Sequence, residues 1–209
     1  MKQINLENGF TIEISEGEEL FDFAKTILNN NLYVKGFSLR ATLIGLLELF
    51  ESDTNENEDK SYILRKTKDS FIGLIKFNDE YIGMCAFFKF HACTIQTFIK
   101  KDFRGRGIAF NAIKEVLKIV NSKGMGRSIS FHHGEPESLV LFYKLWEEEL
   151  INLYNLVEEQ DKRKLRYIKK KLKGEDCSCF MSVKESEFIK SYIKNKLYSN
   201  EKMLIGEIA

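Results

Sequence analysis

At 209 residues, 44% hydrophobic and 30% charged, the chain has enough apolar side chains to bury a core without disulfide or metal staples, and its composition excludes a disordered protein. A formal net charge of +1 excludes bulk attraction to nucleic acid or to an anionic membrane, so electrostatic recognition has to come from local patches. The opening MKQINLENGF lacks the apolar run of a signal peptide and no stretch is apolar for about 18 residues, so one cytoplasmic domain, 1–209, away from the membrane is expected.

In chain order, Asn8-Gly9 suits a tight turn and Phe10, Ile12 and Ile14 alternate with polar residues, which predicts an opening hairpin. Helical spacing of Leu20, Phe21, Ala24, Ile27 and Leu28 predicts a helix from about Glu18 to Asn29, and a second follows from about Ser38 to Phe50. ESDTNENEDK, residues 51–60, is polar enough to be an exposed loop. The period then becomes that of strands: Tyr62 to Lys66, Phe71 to Phe77, Tyr81 to Phe90 and Thr94 to Ile99, with Asn78-Asp79 turning the middle pair of an antiparallel meander.

A helix from about Gly107 to Ser122 stops at Lys123-Gly124, and a short strand from Arg127 to His132 completes a strand-helix-strand unit whose two strands should be parallel. Pro136 suits a first helical residue, and Leu139, Phe142, Tyr143, Trp146, Leu150, Leu153, Tyr154 and Val157 repeat at helical spacing, predicting an unusually long helix. KLRYIKKKL and CSCFMSVK flank Lys173-Gly174-Glu175-Asp176 as a hairpin, followed by a helix from about Glu185 to Leu197; the competing reading continues one helix to Leu172. Cys85, Cys93, Cys177 and Cys179 are expected to be free thiols. Cys177 and Cys179 with His132 and His133 lack the paired C-x-x-C spacing of zinc sites, so no metal is expected.

The stretch FIKKDFRGRGIAFNAIKEVL is the most informative. A helix that opens at glycines directly after a strand presents unpaired N–H groups and a positive dipole end, which favours phosphate. Gly105 and Gly107 permit turn conformations closed to other residues, and Arg104 and Arg106 add positive charge. The sequence is neither a Walker loop nor a Gly-x-Gly-x-x-Gly fingerprint.

Arg104-Gly105-Arg106-Gly107-Ile108-Ala109 resembles the Arg/Gln-x-x-Gly-x-Gly/Ala pattern of the GNAT superfamily of acyl-CoA N-acyltransferases, whose amides hold the pyrophosphate of acetyl-CoA. FIGLIKFNDEYIGMCAFFKF resembles that family's second and third strands, and HHGEPESLVLFYKLW its fifth strand and following helix. The core resemblance covers 62–146; 147–164 is expected to be a helical enlargement, and 165–209 a terminal hairpin and helix, with KGEDCSCFMSVKE similar to the family's last strand. The implied fold is α/β (α+β): a mixed, twisted, mostly antiparallel sheet with a central β-α-β unit and helices on both faces.

The resemblance implies an acetyl-CoA-dependent N-acetyltransferase, acetyl-CoA being the acyl donor. Main-chain groups around Phe98 and Ile99 would pair with the pantetheine arm or face the thioester oxygen, and Arg104 to Ala109 would hold the pyrophosphate. Tyr143 falls at the family's tyrosine position, where a phenol can protonate the departing sulfur. His132, His133 and Glu135 end the fifth strand, where the family places its acceptor cleft; they are candidates for taking the amine's proton, with the two histidines on opposite faces. Neither Cys85 nor Cys93 has a base adjacent in sequence, so direct transfer in a ternary complex is expected over a covalent cysteine route.

DKRKLRYIKKKLKG, residues 161–174, is the one basic cluster, with Tyr167 as its only aromatic residue; it could meet RNA or an acidic protein partner, but such runs are usually the solvated face of a strand or helix, and nucleic acid is not the expected partner. The alternative from another class is a non-catalytic member that binds acyl-CoA or a partner protein. The amine acceptor, small molecule or protein, is not legible in the sequence, and a homo-oligomer is left open.

Overall fold

Asn8 and Gly9 both take left-handed backbone conformations (φ 60° and 77°) and fold the first residues back on themselves, as their turn chemistry predicts. The computed structural model describes residues 1–33, 40, 43–45, 47–48, 67–89, 94–125, 130–131, 136–154, 156 and 159–206. Contacts group the chain into two compact units, Met1–His132 and His133–Ala209.

In the first unit, β1 (Lys2–Asn5) and β2 (Thr11–Ser15) pair antiparallel, with Ile4 opposite Ile12. They join β3 (Phe71–Phe77), β4 (Glu80–Phe88), β5 (Thr94–Ile99) and β6 (Ser130–Phe131) in one sheet of order β1-β2-β3-β4-β5-β6. Every neighbour is antiparallel except β5 and β6, which are parallel. Asn78 and Asp79, with φ of 46° and 64°, make the tight β3–β4 turn.

Strand alternation sorts the core. Ile72, Leu74, Met84, Ala86 and Phe88 face α1 (Glu19–Asn29), whose Leu20, Ala24 and Ile27 complete that layer. The other face of β3, β4 and β5 carries α2 (Ile108–Ser122), with Ala112, Ile113, Val116, Leu117 and Val120 buried. Lys123, just past α2, lies over the Phe71 ring at 4.7 Å. The expected mixed, mostly antiparallel sheet with helices on both faces is therefore present, with the β-α-β unit at the β5–β6 edge of the described sheet. Of the second predicted helix, Arg40, Leu43 to Gly45, Leu47 and Glu48 are described and helical; the predicted loop 51–60 and strand 62–66 lie outside the described residues.

The second unit holds α3 (Glu137–Glu147), α4 (Glu159–Leu172) and α5 (Val183–Gly206), which pack on one another. Lys164 and Glu185 form an ion pair at 2.7 Å between α4 and α5, their side chains 9% and 17% exposed. Removing one partner would strand a mostly desolvated charge. Among the described residues no helix is long and apolar enough to cross a membrane.

Here the sequence expectations need correction. The long helix through Lys164 is broken: α3 stops at Glu147 because Glu149 turns left-handed (φ 58°). Its N–H donates to the Trp146 carbonyl at 3.1 Å, and that of Leu150 to the Leu145 carbonyl at 2.9 Å. This closure commonly uses glycine, so a glutamate there gave no stop signal. Residues 165–172 are helix, not hairpin: Leu165 and Ile168 are buried at helical spacing on α4. Gly174 (φ 76°) ends that helix by the same hydrogen-bond pattern, Glu175 N–H reaching the Lys170 carbonyl at 3.1 Å. The competing reading is right about the end at Leu172 and wrong about continuity. CSCFMSVK forms no strand; Glu175 to Ser182 have no regular structure. Ser182 and Glu185 instead make a capping box, Ser182 N–H donating to Glu185 Oε2 at 2.9 Å and Glu185 N–H to Ser182 Oγ at 3.3 Å, which starts the last helix at Val183 and not Glu185.

Two stability predictions follow from this geometry. A Cβ at Gly83 would lie 2.5 Å from the Phe98 carbonyl oxygen and 2.8 Å from Ile99 Cδ1. Gly83→Ala should cost about 2 kcal/mol, read as a lower urea midpoint; an unchanged midpoint would refute the close approach of β4 to β5. Glu149→Gly should raise stability by about 1 kcal/mol, and a loss would mean the left-handed turn is misassigned.

Candidate functional site

β5 runs into a 3-10 turn over Lys101–Phe103, and Arg104 resumes extended backbone before two left-handed glycines, Gly105 (φ 79°) and Gly107 (φ 77°), open α2. The first helical bond runs from Asn111 N–H to the Gly107 carbonyl at 3.0 Å. The N–H groups of Ile108, Ala109 and Phe110 therefore precede the hydrogen-bonded turns and point out of the helix end, where the dipole is positive. Nothing would meet a Cβ within 4 Å at Gly105 or Gly107, so backbone conformation, not crowding, requires glycine here.

The turn is braced from below. Phe103 sits edge-on to Phe10 (centroids 6.4 Å apart) and tilted against Phe77 at 5.9 Å, while Phe10 and Phe77 lie 4.8 Å apart. The two arginines differ from a simple pair of free charges. Arg104 Nε donates to the Ile99 carbonyl at 2.9 Å, and Arg106 Nη2 donates to the Asp102 carbonyl at 3.1 Å with its guanidinium over the Phe103 ring at 5.4 Å. Each spends one donor on holding the loop, leaving the other N–H groups of its guanidinium.

Phe98 is half-buried and Ile99 buried on β5. Among the described residues β6 pairs with β5 only at Thr94 and Ile95, so no β6 partner is described for the main chain of Phe98 and Ile99. Cys85 is wholly buried and its thiol is pushed up to about 12 by burial, with Thr97 Oγ1 donating to it at 3.5 Å. A protonated, inaccessible thiol is a poor nucleophile.

In the second unit, Tyr143 is buried on α3 and its hydroxyl donates to Glu147 Oε1 at 3.4 Å. Burial, then the Glu147 charge, then Tyr192, push the phenol up to about 12. Trp146 and Tyr192 meet the Tyr143 ring edge-on at 6.3 and 6.4 Å. Lys196 lies over that ring at 5.6 Å and donates to both Glu147 oxygens, at 3.0 and 2.8 Å. The Tyr192 hydroxyl is buried with no hydrogen-bond partner among the described residues, and burial raises its pKa while the nearby Lys196 charge opposes this. Tyr143, Trp146, Glu147 and Lys196 border a cavity of about 690 Å³ also lined by Glu149, Ile151, Lys169 and Lys173.

Arg104 to Ala109 thus form one contiguous feature at the start of α2, with Phe98 and Ile99 on the strand that leads into it. Tyr143 stands in a separate cluster within the second unit. His132, His133 and Glu135 lie outside the described residues. Glu147, Tyr192 and Lys196 were not singled out in the sequence; Glu147 was findable as the i+4 neighbour of Tyr143, whereas Tyr192 and Lys196 come from a helix no local spacing connects to it.

A phenol whose folded pKa is raised contributes stability that is fully present below about pH 10, its unfolded value, and is lost as pH rises toward about 12. The ultraviolet difference titration of wild type minus Tyr143→Phe should have its midpoint near 12, and Glu147→Gln should lower it. A midpoint near 10 in the wild type would contradict the buried, carboxylate-held phenol.

A family model described as the acetyltransferase (GNAT) family matches residues 40–145, just over half of the chain. No curated protein matches significantly. Among solved structures, the ribosomal L7/L12 alpha-N-protein acetyltransferase RimL in complex with coenzyme A aligns at 13% identity and a TM-score of 0.43, over 68% of this chain and 82% of that one. A spermidine N-acetyltransferase chimera from Vibrio cholerae and hSSAT aligns at 15% identity and a TM-score of 0.42, over 66% and 79%. An aminoglycoside acetyltransferase from an uncultured soil metagenomic sample, in complex with trehalose, aligns at 11% and 0.40, over 71% and 93%. With the family model spanning the strand, the glycine turn and the helix it opens, the chain belongs to the acetyltransferase (GNAT) family.

Proposed function

We propose that residues 1–209 act as one acetyl-CoA-dependent N-acetyltransferase that passes an acetyl group directly to a primary amine in a ternary complex. The observation that carries this reading is the Arg104 to Ala109 turn: two left-handed glycines open α2 immediately after β5, in a chain of this family. The N–H groups of Gly105 to Ala109 and the remaining donors of Arg104 and Arg106 would bind the pyrophosphate. Main-chain groups of Phe98 and Ile99 would hold the pantetheine arm and polarise the thioester carbonyl.

The acyl donor supplies the activated carbonyl; the chain supplies orientation and proton movement. Tyr143, held protonated, is proposed as the acid that protonates the departing thiolate, giving up its hydrogen bond to Glu147 to do so. His132, His133 and Glu135 are proposed to take the amine's proton. The buried, proton-bearing Cys85 supports direct transfer over a covalent cysteine route. One observation favours a non-catalytic member instead: Tyr143 is buried, and its phenol already bonds within its own unit.

Calorimetric titration of acetyl-CoA tests the binding step. Gly107→Glu should weaken it about a hundredfold or more, roughly 3 kcal/mol, through backbone strain and charge repulsion, while Gly107→Ala should lose less than about tenfold. Undiminished binding to Gly107→Glu would remove the cradle from the site. A thiol-release assay over a panel of amines tests transfer: Tyr143→Phe should lower kcat about a hundredfold with little change in the KM for acetyl-CoA. Binding without thiol release for any amine would leave the non-catalytic reading.

A further inference from the structure

On α4, Asp161, Lys164, Leu165 and Ile168 are buried. At about 100° per residue the opposite side carries Arg163, Arg166 and Lys170 in one stripe, which Lys173 just past the helix end continues, flanked by Lys162 and Lys169. All four stripe residues and Lys169 are exposed. Glu159 is the only carboxylate of α4 on this side, at its first turn, where it pairs with Lys162 at 3.2 Å and Arg166 at 3.5 Å. Asp176 is engaged by Lys171 at 3.1 Å, and Glu147 by Lys196. Among the described residues no carboxylate pairs with Arg163, Lys170 or Lys173.

This face costs the helix something. Like charges three and four residues apart, such as Arg163 with Arg166 and Arg166 with Lys170, repel by about 0.2–0.5 kcal/mol per pair. The helix dipole rewards Lys170 and Lys173 near the C-terminus but not Arg163 in the first half or Arg166 at the middle. In a chain of net charge +1, six cations gathered on one arc form a local patch that bulk composition does not explain.

We propose that this face of α4 docks an acidic polypeptide segment of a partner protein. Charge complementarity makes the occupant an anion, and the state of the aromatic rings selects polypeptide over nucleic acid. Bases stack on open aromatic faces. Here Trp146 carries Lys169 over its ring at 4.6 Å, and Tyr167, half-buried, has Lys171 at 6.0 Å. Lys162 to Lys173 spans about 16 Å, the length of a helix of about 11 residues acidic on one side, or of about five extended residues. Lys169 and Lys173 also line the cavity beside Tyr143, but the argument for docking does not rest on acyl transfer.

Fluorescence anisotropy of a labelled polyglutamate peptide of about 12 residues, with the full chain at about 0.15 M salt, tests it. Wild type should bind, Arg163→Glu/Lys170→Glu should weaken binding about tenfold or more, and Arg163→Gln/Lys170→Gln should fall between. Lys2→Glu/Lys118→Glu, the same charge change on the first unit, should bind as wild type does. Circular dichroism of each variant confirms that α4 is folded. No binding by wild type, equal weakening by both charge-reversed pairs, or tighter binding of an oligouridylate of matched charge would each overturn the assignment.

Discussion

The start of α2 depends on how the chain leaves β5. Three aromatic rings, Phe10 from the opening hairpin, Phe77 from β3 and Phe103 from the 3-10 turn, form one cluster under the loop. Arg104 then ties the loop to the strand through the Ile99 carbonyl. With the strand end and the helix start fixed together, the left-handed glycines set the direction of the exposed amides. An anion site made of main-chain donors works only if those donors are pre-aligned, because each one ordered at the moment of binding would cost conformational entropy. The cluster also explains why the N-terminal hairpin belongs to the same unit: without Phe10 the loop would lose one wall of its support.

What was legible in the sequence was local. Asn8-Gly9, Asn78-Asp79 and Lys123-Gly124 each mark a turn by residues tolerant of positive φ, and the structure places turns at all three. The strands from Phe71 to Ile99 and the helix after Gly107 have unmixed periods, so their bounds were readable within two residues. The second unit was not readable in the same way. Glu149 ends a helix with a conformation that glutamate rarely takes, which no pattern announces. Leu165, Ile168 and Leu172 do carry a helical period, and Ser182 with Glu185 a capping signature, but Lys173-Gly174-Glu175-Asp176 between them reads as a hairpin turn. The period and the capping signature were the better guide there, because each names a hydrogen bond or a buried face that the chain must satisfy.

The candidate site divides along the same line. The amides around Gly107 were foreseeable because a glycine turn between strand and helix has one structural meaning, and the structure realises it. The surroundings of Tyr143 were not, since its electrostatics come from Glu147 and Lys196, 49 residues apart. The arginines were half foreseen: their charge is present, but one donor of each holds the loop.

The phenol's position in a charge network has a consequence for any acid role. Glu147 alone would hold the Tyr143 proton tightly, because a carboxylate beside a phenol disfavours phenolate. Lys196 opposes this by binding both Glu147 oxygens and lying over the tyrosine ring, so the three groups together carry no net charge while Tyr143 is neutral. Loss of the phenol's proton would make the cluster anionic in a half-enclosed cavity, which is costly unless a second proton arrives promptly. The Lys196 ammonium is lowered by burial but raised more by its bonds to Glu147, so it holds its own proton and keeps the cluster neutral at rest. A phenol so placed keeps its proton at rest, which is the protonation state an acid role would need.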